Sequence, residues 1–266
     1  MTDLLAAALT QPFFLRALIA GLLVAVATGL VGVFVVLRKL SFFSDAVAHF
    51  ALTGIALGFL LGTDPIRTAV VFSVLVALGI GYVERHSRLS TDTTIGVFFS
   101  GAAALGIFLI GLLKGYRADL FQYLFGDILA VSWGDIGLAA ILVLVVVCAM
   151  AFAWRPLLAL TFNRDLAEVR GWQVERWKYL YLIALAVVTA VSIKTVGVLL
   201  VTALTIVPAA TAKNVARSAR QLLILTVTVS TLSVIIGLFC SYVLNTASGP
   251  TIVLTSLVFF ILTLLR

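Results

Sequence analysis

Asp45 and His49 stand four residues apart in an otherwise apolar stretch, Ser44-Asp45-Ala46-Val47-Ala48-His49-Phe50-Ala51-Leu52-Thr53-Gly54. In a helix, positions i and i+4 share a face, so a carboxylate and an imidazole reach one point. That donor pair suits a divalent transition metal ion. An ionisable pair held within a bilayer marks an ion pathway or a proton relay. An unpaired charge at that depth costs at least about 3 kcal/mol on insertion scales, which a shared ion offsets. A transit site also needs few ligands and weak binding, because the ion must leave again. The bland alternative is that Asp45 caps a helix, as Asp does well, and that His49 is a satisfied bundle histidine.

The elements that must position this pair are membrane spans. Of the 266 residues, 63% are hydrophobic and 11% charged, against about 25% charged in soluble domains. The apolar runs are continuous rather than alternating, which excludes a β-barrel in favour of a polytopic all-α protein. The net charge of +7 does not point to nucleic acid, because the basic residues fall in short loops. Apolar windows of span length lie near 13–37, 42–62, 66–83, 93–113, 134–153, 177–193, 195–212, 221–243 and 250–265, nine in all. Only Lys194 divides the sixth from the seventh. The whole chain, 1–266, reads as one transmembrane domain with no cleavable signal peptide. Cys148 and Cys240 sit in apolar runs and read as buried small hydrophobes without a disulfide or metal role.

Loop charge orients the spans. Thirteen of the 18 Lys and Arg residues, from Arg38 and Lys39 to Arg217, Arg220 and Arg266, fall on one side, and five fall on the other. The richer side is cytoplasmic by the positive-inside rule. This sets the N-terminus outside and the C-terminus in the cytoplasm. Two connections are long. Residues 114–133, with Leu120-Phe121-Gln122-Tyr123-Leu124-Phe125-Gly126-Asp127, are too apolar for a free outer loop and predict a short surface helix. Residues 154–178 form a charged inner segment in which Asp165-Leu166-Ala167-Glu168-Val169-Arg170-Gly171 predicts one or two helical turns ended by Gly171. Such a helix could dock a soluble partner or simply connect two spans.

The remaining candidates have quieter readings. Asp92 predicts a helix cap, and His86 a solvated loop residue. Asp119, Asp127 and Asp135 predict solvated outer surface, the alternative being a role in attracting cations or contacting a binding partner. Pro208, with Thr202, Thr205 and Thr211 nearby, predicts a kink, consistent with static packing or with a gating bend. Gly21, Gly29, Gly32, Gly101, Gly106 and Gly237 predict helix-packing contacts. No Gly-Lys dipeptide occurs, so no phosphate loop can form, and ATP hydrolysis would have to come from another subunit. Two histidines and no His-Glu-x-x-His argue against an intramembrane metalloprotease. A self-sufficient secondary carrier or cation channel is the competing function. It would usually place several acidic groups at depth, whereas only Asp45 reads as deep.

Four segments resemble the metal-ion permeases of zinc/manganese ATP-binding-cassette importers. Asp45-Ala46-Val47-Ala48-His49-Phe50-Ala51-Leu52-Thr53-Gly54 is similar to that family's Asp-Ala-Ile-Ser-His-Ala-Val-Leu-Pro-Gly. Thr91-Asp92-Thr93-Thr94-Ile95-Gly96 resembles its Asp-Thr-Ala-Ile-Gly turn. Leu124-Phe125-Gly126-Asp127-Ile128-Leu129-Ala130-Val131 resembles its Leu-Phe-Gly-Asn-Ile-Leu-Ala-Val. The stretch from Val196-Gly197-Val198 to Pro208-Ala209-Ala210-Thr211-Ala212 resembles its later spans. The family's Gly, Ser and Pro around the pair are Ser44, Ala48 and Thr53 here. A missing Pro would straighten the second span.

The resemblance implies a type II, cobalamin-importer-like permease fold of about nine spans in a prokaryotic plasma membrane. It also implies a homodimer, two cytoplasmic ATPase subunits that bind ATP, and an extracytoplasmic metal-binding protein. Asp45 and His49 would carry the transported zinc or manganese, with no permanently bound cofactor. Leu166, Ala167, Glu168, Val169, Arg170 and Gly171 would form the ATPase coupling helix, and Pro208 a gating kink. Zinc, manganese and iron are all acceptable to an Asp/His site.

Overall fold

The computed structural model describes residues 10–112, 123, 126 and 128–265. Helices account for nearly all of them, and no strand occurs among the described residues. In chain order the helices are α1 (Pro12–Leu37), α2 (Ser41–Leu61), α3 (Pro65–His86), α4 (Thr91–Leu112), α5 (Trp133–Phe162), α6 (Arg164–Val169), α7 (Val174–Val215), α8 (Ala219–Leu244) and α9 (Ser248–Leu264). A 3-10 turn, Ile128–Ala130, precedes α5. In hydrocarbon every backbone N–H and C=O must bond within its own segment, and only the helix does this locally.

Helix boundaries follow from local chemistry. Asp64 accepts from the N–H groups of Ile66 and Arg67 and puts Pro65 at the first position of α3, where a missing N–H costs nothing. Ser132 and Asp135 form a reciprocal capping box on α5. Ser90, rather than Asp92, caps α4 by accepting from the Thr93 N–H at 3.2 Å. Asp92 lies in the first turn, where its charge complements the helix dipole.

The 42-residue helix α7 is two limbs joined at Gly197, whose backbone (φ 79°, ψ 164°) only glycine adopts readily. Both limbs lead from that point toward the same end of the bundle. Tyr181 in the first donates to the Val31 carbonyl at 2.9 Å, and Lys213 in the second shares a recess with Leu37. The chain therefore doubles back, and α7 supplies the sixth and seventh spans. With α1–α5, α8 and the shorter α9 this makes nine apolar segments among the described residues, roughly consistent with the number expected from hydropathy. The turn falls three residues beyond Lys194. It is held by Gly126, whose Cα lies so close to the Val196 carbonyl that any side chain would collide with it.

α7 is the centre of the bundle and packs on α1, α2, α3, α5, α8 and α9. Glycines permit the close crossings: Gly32 of α1 faces the Thr205 backbone, Gly54 of α2 faces Ala69, and Gly237 of α8 faces Ile252. Gly101 differs from its expected packing role, since nothing lies within 4 Å of it. The outward faces of α4 and α5 carry large apolar side chains such as Ile107, Phe108, Ile141 and Phe152, as lipid-facing surfaces do. Cys148, expected to be buried, is exposed on this face of α5, while Cys240 is half-buried.

Candidate ion-transit site

α2 runs unbroken from Ser41 to Leu61. Residues 41–49 are thus ordinary helix, and Asp45, lying in the second turn, does not cap it. At 1.5 Å per residue His49 lies roughly 12 Å along the helix. Both side chains are half-buried. Among the described residues neither side chain has a hydrogen-bond or ion-pair partner.

α4 lies over the face of α2 that carries the pair. The His49 ring meets Phe99 edge-on, with centroids 4.9 Å apart. One turn further, Thr53 Oγ1 donates both to its own turn, at His49 O, and across to Ala102 O of α4, each at 3.2 Å. Thr53 occupies the place of the family's proline. The helix continues unbroken through it, and its hydroxyl adds a polar tie between the two helices beside the site. Sequence reasoning missed this tie, because the Ala102 carbonyl carries no signal in the chain. No group of three or more His, Cys, Asp or Glu side chains lies close enough to hold an ion among the described residues. One copy of the chain therefore offers two side-chain ligands at this point.

The other candidates fall elsewhere. α6 ends with Gly171 at φ 76°. The Gly171 N–H bonds Glu168 O at 2.9 Å and the Trp172 N–H bonds Ala167 O at 3.1 Å, closing the last turn. Ala167 is buried while Val169 is 84% exposed, so α6 presents Val169 outward. Pro208 lies within the second limb of α7, eleven residues beyond the turn at Gly197. The neighbouring hydroxyls bond other carbonyls: Thr205 bonds Val201 O, and Thr211 bonds Val207 O. His86 is exposed in the last turn of α3, stacked on Tyr82 with centroids 4.1 Å apart.

Asp135 departs from its reading as solvated surface. It pairs with Lys194 at 2.6 Å beside the Gly197 turn and is 14% exposed. Asp119 and Asp127 lie outside the described residues, as does most of the expected 114–133 surface helix. Among its described residues, Ile128 is buried against Gly21 of α1.

A second polar cluster ties the basic ends of four helices. Glu84 of α3 pairs with Lys178 of α7 at 3.1 Å and accepts from Thr91 of α4 at 3.0 Å. The Arg38 guanidinium, just past α1, lies over the Tyr181 ring at 5.5 Å. Burial holds the Arg38 guanidinium below its ordinary value, and Tyr181, Glu84 and Glu175 oppose that shift.

Comparison with known proteins places this architecture. The profile of the family described as ABC 3 transport family matches residues 10–266. The chain belongs to the ABC 3 transport family. Among this ABC 3 chain's relatives is the high-affinity zinc uptake system membrane protein ZnuB of Haemophilus influenzae, 36% identical over 94% of this chain and 96% of that protein. The manganese import system permease protein ScaB of Streptococcus parasanguinis is 40% identical over 94% of this chain and 89% of that protein. The structure superposes on PsaBC from Streptococcus pneumoniae in complex with Fab with a TM-score of 0.87 and 35% identity. That match covers 98% of this chain and 94% of the other.

Proposed function

We propose that this chain is the permease subunit of an ATP-driven importer that moves zinc or manganese into the cytoplasm by alternating access. The observation that carries the reading is the half-buried, unpartnered Asp45–His49 pair on α2, one helical turn apart and covered by α4. The names of the relatives supply the cargo class, and the donor chemistry agrees with it. Two ligands per chain hold an ion loosely, which suits transit. A second copy of the permease, with its own pair, would complete the coordination. Two cytoplasmic ATPase subunits would bind the ATP, since this chain has no phosphate loop, and an extracytoplasmic protein would deliver the metal.

Residues 166–171 would couple to the ATPase, with Val169 as the exposed contact. Pro208 deprives Leu204 O of its helical donor and so softens the second limb of α7, where a gating bend would fall. The distribution of Lys and Arg supports a plasma-membrane orientation with the N-terminus outside and the C-terminus in the cytoplasm.

The test is metal uptake into proteoliposomes holding this chain with its ATPase and binding protein. Asp45→Ala and His49→Ala should keep ATPase activity and lose uptake, and competition between zinc and manganese should name the cargo. Normal transport by both variants would sink the assignment. Uptake without ATP would instead favour a secondary carrier.

A further inference from the structure

The surface between α5 and the first limb of α7 is notched at the basic end of the bundle. Toward mid-membrane the notch is an apolar slot of about 220 Å³, walled by Ala149, Phe152 and Ala153 on α5 and by Leu180 and Ala184 on α7. Trp177 and Leu180 carry it on into a second recess of about 330 Å³, whose outer wall holds Trp172 and Arg176. On the far side of Trp172 a third recess of about 300 Å³ is lined by Arg155 and Arg170. The groove is thus apolar along its membrane part and cationic where it reaches the surface.

The charges at the mouth are available. Arg155 and Arg176 are exposed, and neither has an ion-pair partner among the described residues. Arg170 is held over the Trp172 ring at 5.9 Å. Two half-buried tryptophans, Trp172 and Trp177, flank the recess at the depth where indole N–H groups meet lipid headgroups.

We propose that this groove binds an anionic phospholipid, with an acyl chain in the α5–α7 slot and the phosphate at Arg176, assisted by Arg155 and Arg170 around Trp172. Three arguments favour a lipid. An extended protein segment in the slot would bring backbone polar groups to walls that offer no partner for them, and a helix is too wide for a slot of about 220 Å³, whereas a single hydrocarbon chain fits and needs no partner. The alanines at 149, 153 and 184 leave a furrow between larger neighbours, suited to a chain of methylenes. Basic recesses between spans at the positively charged membrane face are where anionic headgroups bind. The bound lipid would brace the 170–177 connection between α6 and α7.

The permease–ATPase complex would be purified in mild detergent, and its retained lipids identified by native mass spectrometry. It would then be placed in nanodiscs of phosphatidylcholine with or without phosphatidylglycerol or cardiolipin, and its Tm read in each. The wild type should retain anionic lipid and melt higher in the anionic discs. Arg176→Gln, a surface change that leaves the fold intact, should weaken that binding about fivefold. Ala153→Trp, which fills the slot, should abolish retention. Retention unchanged in Arg176→Gln would overturn the proposal. So would loss of the ATPase from that variant with lipid still bound, because the basic mouth would then be an ATPase contact. Cross-linking of Ala153→Cys to a second permease copy would show a protein helix in the slot and overturn it equally.

Discussion

Asp45 and His49 are useful because no polar partner among the described residues satisfies their side chains. A half-buried carboxylate and imidazole without internal partners are costly in a bilayer unless something occupies the space between them. The cation they would pass is that something. Thr53 adds a second consequence at this scale. Its hydroxyl ties α2 to Ala102 O, and replacement by the isosteric Val leaves that carbonyl with one bond fewer. Thr53→Val should therefore lower stability by about 1 kcal/mol, read as Tm of the detergent-solubilised chain. It should also loosen α4 over the pair, changing the apparent affinity for metal in uptake more than the maximal rate. An unchanged affinity would make the threonine a packing residue only.

At the scale of elements, the Gly197 turn decides the topology. Any side chain at φ 79°, ψ 164° is strained by about 1–3 kcal/mol. Gly197→Ala should reduce Tm by that equivalent. Gly126→Ala should do the same by collision with Val196 O. The Lys194–Asp135 pair, 40% and 14% exposed, should contribute much less. A double-mutant cycle on it should return a coupling energy under about 1 kcal/mol, so the glycine contact rather than the charge pair holds the turn. α6 carries its own expectation: Val169→Asp, on an 84% exposed side chain, should leave folding intact. It should reduce ATP-driven uptake and co-purification of the ATPase. Retained co-purification with full uptake would remove α6 from the coupling role.

At the scale of the whole molecule, orientation is the prediction. The cation-rich end gathers the ends of α1, α3, α5 and both limbs of α7, locked by Glu84, Lys178 and Arg38. With Cys148 and Cys240 replaced, a single cysteine at Arg217 should resist a membrane-impermeant maleimide in intact cells, whereas one at Thr63 should react. The reverse pattern would invert the topology and place the ATPase contact at the other face.

The chain alone determined the class of fold, the approximate number of spans and the pair on one helical face. Each of these depends only on local periodicity and the cost of polar groups in hydrocarbon, which are written residue by residue. Asp45 and His49 were legible because i and i+4 meet in any helix, and α6 was legible because Gly171 punctuates a short charged run. The tertiary structure decided what depends on neighbours distant in sequence. Pro208 drew the expectation of a kink because proline removes a hydrogen bond wherever it stands. A break that no proline announces lies at Gly197, where the backbone takes φ 79° and ψ 164° and where Gly126 packs against Val196 O. Asp135 read as solvated surface until Lys194, 59 positions later in the chain, came to lie against it. Thr53 read as a lost proline until Ala102 O supplied its partner. The lipid groove was invisible for the same reason: its walls come from α5 and α7, and only packing sets the width between them.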